Sequence, residues 1–506
     1  MPGAPAFEDD LDGRSAQVRP GTLAQAGDGS RPRAPDREPA HGRRLAWLDA
    51  LRGIAALCVV YAHFGTRVLP GVHAAVYSVF DPGLYGVLVF FMISGYIVPA
   101  SLERTRSVRT FWLSRLFRLF PLFAFAIAAV LLLHELGLAS LRGAGSNVTA
   151  SVFSHLFMLS DLLGQSNVII VLWTLSYEMV FYLLLTALFT SGVHKRSGWL
   201  AAGFAAGALL LGGLLPAAWL SPSSLGVTGV ALAGDVLVIG GLALAVTTRG
   251  PLRPLGAWIA AATGLILVAS SSRRSGYEAL TILALMFTGT MLYRAEHRQV
   301  GRNRAAVIAA GIFTAAIGAG AWHIPSVGMR NQIPLQQREW VVSVALAGLT
   351  FAIGLALRNL SVPSVLAWLG LVSYSVYLLH PLLLDLYDRI PLPPGHLPVS
   401  LDLAITSGFL AALLAVCAVT YYCVEAPMQR IGRRVAARLD ARCGTLAPRP
   451  VRSAMSGTRQ AGSSTASLSP AAGEEILPWQ MARPSPGAGT DETTGPPSRR
   501  AGPGTA

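Results

Sequence analysis

A chain of 506 residues that is 53% hydrophobic and 13% charged, with a mean hydropathy of +0.51, is a polytopic membrane protein rather than a soluble globular one. Its formal charge of +14 rests on arginine, Lys195 being the single lysine. Arginines between apolar runs anchor membrane orientation, so this charge does not call for a nucleic-acid partner.

Residues 1–43 are rich in Ala, Gly, Pro and mixed charge and cannot bury a core. They are expected to form a disordered cytoplasmic tail, with no cleavable signal peptide. The first apolar run, 46–65, places Arg52 at its mouth and His63 inside it. Ionisable residues in a span are costly, so each is a functional candidate by default. Eleven residues at about 100° each make about three turns, so Arg52 and His63 project from one face, roughly 16 Å apart. The arginine could hold an anionic donor and the imidazole could act as a base. A lone histidine in an apolar helix is more often a hydrogen-bonded core residue; Arg52 on the same face argues for catalysis.

The second run, 82–100, carries Ser94-Gly95 at its middle. A glycine there admits a neighbouring backbone or a ligand, and packing alone explains it at least as often. The loop 101–118 holds Arg104, Arg106, Arg109, Arg115 and Arg118. Orientation alone accounts for most of them. Arg115 and Arg118, i and i+3 at an expected helix start, share a face and suit phosphate oxygens. After the run 119–136, His134 and His155 border one loop without any distinguishing signal, and the sequon at Asn147 is read as chance. The run 168–190 carries Trp173, Glu178 and Tyr182. A carboxylate inside a span needs a partner or a proton. For Glu178, a structural ion pair and a catalytic or ligand contact weigh equally.

Further runs are expected at 199–218, 228–247, 255–271, 278–294, 305–322, 340–357, 364–384 and 403–424, with 255–271 and 278–294 the least secure. His380, beside Pro381, is expected at the outer surface in a structural role. Residues 425–443 interleave Arg430, Arg433, Arg434, Arg438 and Arg442 with apolar residues, which suits a helix on the inner membrane surface or a solvated basic tail. Residues 444–506 repeat the composition of the N-terminal tail. The basic residues concentrate in alternate loops, placing both ends in the cytoplasm with an even number of spans. The expectation is an all-α polytopic bundle of ten to twelve transmembrane helices in the cell (inner or plasma) membrane, with no internal repeat. Cys58, Cys417, Cys423 and Cys443 lack metal-type spacing and read as small apolar residues, so neither a metal centre nor a disulfide is expected.

Several motifs, in this order, resemble the acyltransferase-3 family of membrane O-acyltransferases. They are Trp47-Leu48-Asp49-Ala50-Leu51-Arg52-Gly53 through His63, Phe90-Phe91-Met92-Ile93-Ser94-Gly95-Tyr96, and Phe111 through Pro121. Further on come Leu172-Trp173 with Glu178 and Tyr182, Leu371 through His380, and Val424-Glu425-Ala426-Pro427. The resemblance covers about 44–430, with residues 44–424 as the membrane domain. It implies an essential pair at Arg52 and His63, and acyl-CoA contacts at Arg115 and Arg118. It also implies transfer of an acyl group, acetyl being favoured, to a hydroxyl of a sugar in a surface glycan, glycolipid or macrolide-type product. His63 and Glu178 are then the catalytic candidates, and Arg52, Arg115, Arg118, Ser94, Trp173 and Tyr182 the substrate-binding ones. The family core has about ten spans, and some relatives add an SGNH esterase-like domain that the short polar tail here does not suggest. No permanently bound cofactor is expected; the partners are acyl-CoA, a sugar-containing acceptor and the bilayer. The competing class is a twelve-span transporter, against which stand the lack of a repeat and of a long central loop.

Overall fold

The computed structural model describes residues 40–68, 70–139, 148–163, 165–215, 226–325, 335–390 and 398–443. Residues 1–39 of the tail expected at 1–43, the tail expected at 444–506 and the sequon at Asn147 lie outside the described residues. The helices are α1 (Ala40–Val68), α2 (Pro70–Tyr77), α3 (Pro82–Thr105), α4 (Val108–Glu135), α5 (Val148–Leu156), α6 (Trp173–Thr190), α7 (Ser197–Leu211), α8 (Gly226–Thr247), α9 (Leu252–Ser270), α10 (Gly276–Glu296), α11 (Arg302–His323), α12 (Leu335–Leu357), α13 (Ser364–Tyr387), α14 (Val399–Thr420) and α15 (Ala426–Cys443). There is no strand among the described residues.

Each of the twelve apolar runs contains a helix, and ten helices among the described residues are long and apolar enough to cross a membrane. The other two fall short for different reasons. α7 has 15 residues, about 22 Å of rise against a hydrocarbon core of about 30 Å. α10 is long enough but carries Glu278, Arg294 and Glu296. It tolerates them because it is packed between α3, α7 and α11 and is buried on most of its surface. Its crossing with α3 explains Ser94-Gly95. A Cβ added at Gly95 would lie 1.8 Å from the Met286 carbonyl oxygen, and one at Gly289 would lie 2.2 Å from that of Met92. Backbone thus meets backbone, and the Thr290 hydroxyl donates to Gly95 O across the contact at 2.8 Å.

The helix ends are closed by side-chain and backbone caps. Asp81 caps α3, its Oδ1 accepting from the backbone N–H of Gly83 at 2.7 Å and of Leu84 at 3.0 Å, with Pro82 in the first turn. Arg106 closes the same helix at φ 51°, and Ser107 caps α4. α1 begins at Ala40, a few residues inside the stretch expected as tail.

The segment 425–443 is helical, as one of its two sequence expectations has it, and it packs against the bundle. Pro427 lacks the N–H that an unbroken helix would use, and a π turn at Tyr421–Glu425 stands just before it. Beyond the turn, α15 packs along α4. Gly432 lets Phe117 approach, since a Cβ there would sit 2.5 Å from that of Phe117, and Arg109 Nη2 donates to Leu439 O at 3.2 Å. The start of α4, the end of α14 and α15 therefore share one face of the bundle with Arg52. The ends of α1, α11 and α13 and the starts of α3, α6, α10 and α12 meet at the other.

Candidate active site

Two clusters sit at different depths, linked by the parallel pair α1 and α13. On the arginine face, Arg52 has Asp49 on α1, Arg115 and Arg118 on α4 and Glu178 on α6 as its electrostatic neighbours. Asp49 shares the helix with Arg52 at i, i+3. Glu178 Oε1 accepts from Ser94 Oγ at 3.3 Å and from the Tyr182 hydroxyl one turn along α6. The Arg115 guanidinium lies between two rings, 5.7 Å from the Phe111 centroid and 5.8 Å from that of Tyr182. Its Nη2 reaches Ser101 Oγ at 3.5 Å, and its buried Nε has no hydrogen-bond partner among the described residues. A second carboxylate closes the cluster: Glu425, in the π turn, accepts from the Ser375 hydroxyl and acts electrostatically on Arg118. Arg52, Arg115, Arg118, Ser94, Glu178 and Tyr182 are thus brought together, and Asp49 and Glu425 join them.

His63 and Trp173 lie elsewhere, in the wall of a cavity of about 730 Å³ on the opposite face. Tyr377, Arg274 and Glu278 line it with them. Arg274 stacks on Trp173, its Cζ 3.9 Å from the ring centroid, and pairs with Glu278 at 3.0 Å. The Tyr377 hydroxyl bonds Thr174 Oγ1 at 2.9 Å, fixing the ring at the cavity floor. Glu178 lies five residues further along α6 than Trp173, about 7.5 Å deeper by helical rise. It therefore belongs to the arginine cluster and not to His63.

The register of α1 on α13 joins the two sites. A Cβ at Gly53 would lie 2.7 Å from that of Leu369, and one at Gly370 only 2.0 Å from Asp49 O, so the helices touch through glycine at the arginine end. Both run the same way, and ten residues on, His63 meets His380 with ring centroids 5.1 Å apart. Beyond them Arg67 grips Asp388 with two bonds, Nε to Oδ1 at 2.6 Å and Nη2 to Oδ2 at 2.8 Å. The expectation for His380 is corrected here. It is fully buried, because α1 covers the face of α13 that carries it. The motif from Leu371 to His380 also becomes legible. Tyr374 OH donates to Leu119 O at 3.0 Å, Ser375 binds Glu425, and Tyr377 holds the start of α6.

The cavity rim is organised by the loop before α6. His155 Nδ1 bonds Ser151 O at 2.8 Å and its Nε2 accepts from Val168 N at 3.2 Å, so burial lowers its pKa and the ring is a structural neutral imidazole. His134 bonds Ala139 O at 3.2 Å near the end of α4. Burial pushes the Asp161 carboxyl from 3.8 up to about 6, against the pull of Arg274 and Arg273. For Arg274, burial opposes the charge, and Glu278 and Asp161 outweigh it and hold the guanidinium above its ordinary value. A raised acid contributes stability that is present below pH 3.8 and lost as pH rises through 6. Asp161→Asn is therefore expected to be more stable than wild type at pH 8 by about 2–3 kcal/mol and to melt at a higher temperature, with the gap narrowing toward pH 4. Melts of solubilised protein at both pH values test this, and a gap that is the same at each would remove the assigned cause.

The sequence model of the acyltransferase-3 family, described as an acyltransferase domain, matches residues 45–424. Among curated proteins, the chain is 31% identical over 175 residues to Acyltransferase MdmB of Streptomyces mycarofaciens, covering 32% of this chain and 44% of that protein. It is 32% identical over 178 residues to Nodulation protein 10 of Rhizobium leguminosarum bv. viciae, covering 30% and 46%. A putative acetyltransferase, ORF330 of Acidianus two-tailed virus, is 30% identical over 149 residues, covering 29% and 40%. The chain thus spans less than half the length of these relatives. No solved structure matches it. The family match runs from just before the Arg52 motif into the π turn and takes in both clusters except Glu425, so this chain belongs to the acyltransferase-3 family.

Proposed function

We propose that the protein transfers an acyl group, acetyl in the first instance, from acyl-CoA to a hydroxyl of a sugar-containing acceptor, with His63 as general base. The observation that carries this is the pair of sites at the two ends of one face of α1. One is a guanidinium cluster and the other a cavity with an imidazole in its wall. The anionic nucleotide end of the donor would dock at Arg52, Arg115 and Arg118, on a face we assign to the cytoplasm from the arginine distribution. The orphaned Arg115 Nε supports a bound anion there. Glu178, held by Ser94 and Tyr182, keeps Arg52 in place and takes no proton from the acceptor. Extended pantetheine covers on the order of the 16 Å from Arg52 to His63 that helical rise gives. The thioester would then arrive at the cavity, where Trp173 and Tyr377 offer ring faces and Arg274 and Glu278 offer polar groups to a sugar. The acceptor O–H gives its proton to His63, the oxygen attacks the thioester carbonyl, the C–S bond breaks, and the sulfur leaves as CoA thiol with the proton returned from His63.

The names of the relatives, an acyltransferase and a putative acetyltransferase among them, support the reaction class. The test is incubation of membranes from expressing and non-expressing cells with [14C]acetyl-CoA and a panel of free, lipid-linked and macrolide sugars. Protein-dependent label on a sugar supports the proposal, and label on none of the panel, with the protein present in the membrane, removes it.

A further inference from the structure

We infer that His380 is a positioning residue for His63, fixing which of its nitrogens carries the proton and sharing the charge when the ring becomes an imidazolium. The inference rests on the reading of His63 as the base. Carbonyl oxygens only accept hydrogen bonds. His63 Nδ1 lies 2.9 Å from Val59 O, so that nitrogen bears a hydrogen. His380 Nδ1 lies 3.1 Å from Val376 O and bears one for the same reason. With its hydrogen on Nδ1, the neutral His380 ring, fully buried in the bundle, presents Nε2 as an acceptor. That Nε2 stands 3.4 Å from His63 Nδ1. The His63 Nδ1–H is therefore shared between a backbone carbonyl and an imidazole lone pair, and the lone pair used for proton transfer resides on His63 Nε2.

Two further observations hold this arrangement. The glycine contacts at Gly53 and Gly370 set α1 and α13 in a register that repeats at His63 and His380, both pairs separated by 317 positions. Arg67 takes His63 O and the Asp388 carboxylate together, pinning the turn that carries His63 to α13. The step itself needs no other reactant. The acceptor proton moves to His63 Nε2, the Nδ1 proton stays between Val59 O and His380 Nε2, and the first proton leaves with the CoA sulfur.

Asparagine and glutamine separate this role from packing. His380→Asn keeps a donor at the Nδ1 position toward Val376 O and removes the acceptor facing His63. His380→Gln places an amide oxygen near the Nε2 position and keeps that acceptor. With acetyl-CoA and the sugar that takes label as substrates, His380→Asn is expected to lose about 10–100-fold in kcat, the range for a hydrogen bond to a charged group, with both KM values unchanged. His380→Gln is expected to retain turnover within a few-fold. In a His63→Ala background, His380→Asn should cost nothing more, since it acts through a ring no longer present. Wild-type kcat in His380→Asn, equal losses in the Asn and Gln proteins, or additive losses in the double variant would each overturn the assignment. Should the Asn protein fail to accumulate, the Gln protein decides, since turnover lost from a well-accumulated Gln protein overturns it too. An active His63→Ala protein removes the base itself. An inactive one beside a fully active His380→Asn removes only the role given to His380.

Discussion

A His63→Ala protein is expected to reach the membrane in normal amounts and to transfer acyl groups about 10²–10⁴-fold more slowly than wild type, the usual cost of losing a general base. The fold should tolerate the change. His63 is only partly buried at the cavity wall, and alanine favours helix. Lost with the base are the contact of Nδ1–H with Val59 O and the hydrogen bond offered to His380, whose Nε2 then lacks that partner; such a group costs about 1–3 kcal/mol. The bidentate pair of Arg67 with Asp388 and the glycine contact of α1 with α13 remain, so the helices keep their register. Donor binding should be unaffected, because the arginines lie about three turns away along α1. Initial rates and protein levels in the same membranes provide the test. Near wild-type turnover from a well-expressed His63→Ala protein would place the proton transfer on another group.

The sequence carried the fold because apolar runs and arginine-rich loops are one-dimensional signals. Each of the twelve runs contains a helix, and Asp81, Ser107 and Pro427 mark helix boundaries that can be read from residue chemistry alone. Which runs cross was less legible, since the burial that lets α10 hold Glu278 and Arg294 depends on its neighbours and not on its own composition. The arginine cluster was readable for a related reason: Arg52, Arg115 and Glu178 are ionisable residues in apolar surroundings, each conspicuous alone. His380 was conspicuous too, but its role depends on a helix 317 residues away in the chain. Nothing local distinguishes a histidine at a span's outer end from one covered by α1. Arg274 and Glu278 were hidden in the same way. Their i, i+4 spacing at the start of α10 signals a pair, whereas the stacking on Trp173 is a tertiary fact.

Reversing both charges in Arg115→Glu/Arg118→Glu is expected to raise the donor KM by at least about 10²-fold while leaving the acceptor KM where it was. Each guanidinium–phosphate contact removed is a charge-assisted hydrogen bond of about 1.5–3 kcal/mol, and the new carboxylates add repulsion toward the nucleotide phosphates. The two positions contribute differently. Arg118 is partly exposed, while Arg115 is buried between Phe111 and Tyr182 with Glu178 nearby, where a new carboxylate is unfavourable for folding as well as for binding. Arg115→Lys separates these effects. It keeps the positive charge among the rings and removes the planar fork, including the Nε donor that has no partner among the described residues. If that nitrogen serves the donor, Arg115→Lys raises the KM for acetyl-CoA by about tenfold in a protein that accumulates normally. If the three arginines serve only orientation in the membrane, the lysine variant binds acetyl-CoA as wild type does, because lysine orients a span as well as arginine. An unchanged donor KM in both variants would leave the guanidinium cluster as an anchor and move the nucleotide site to another part of that face.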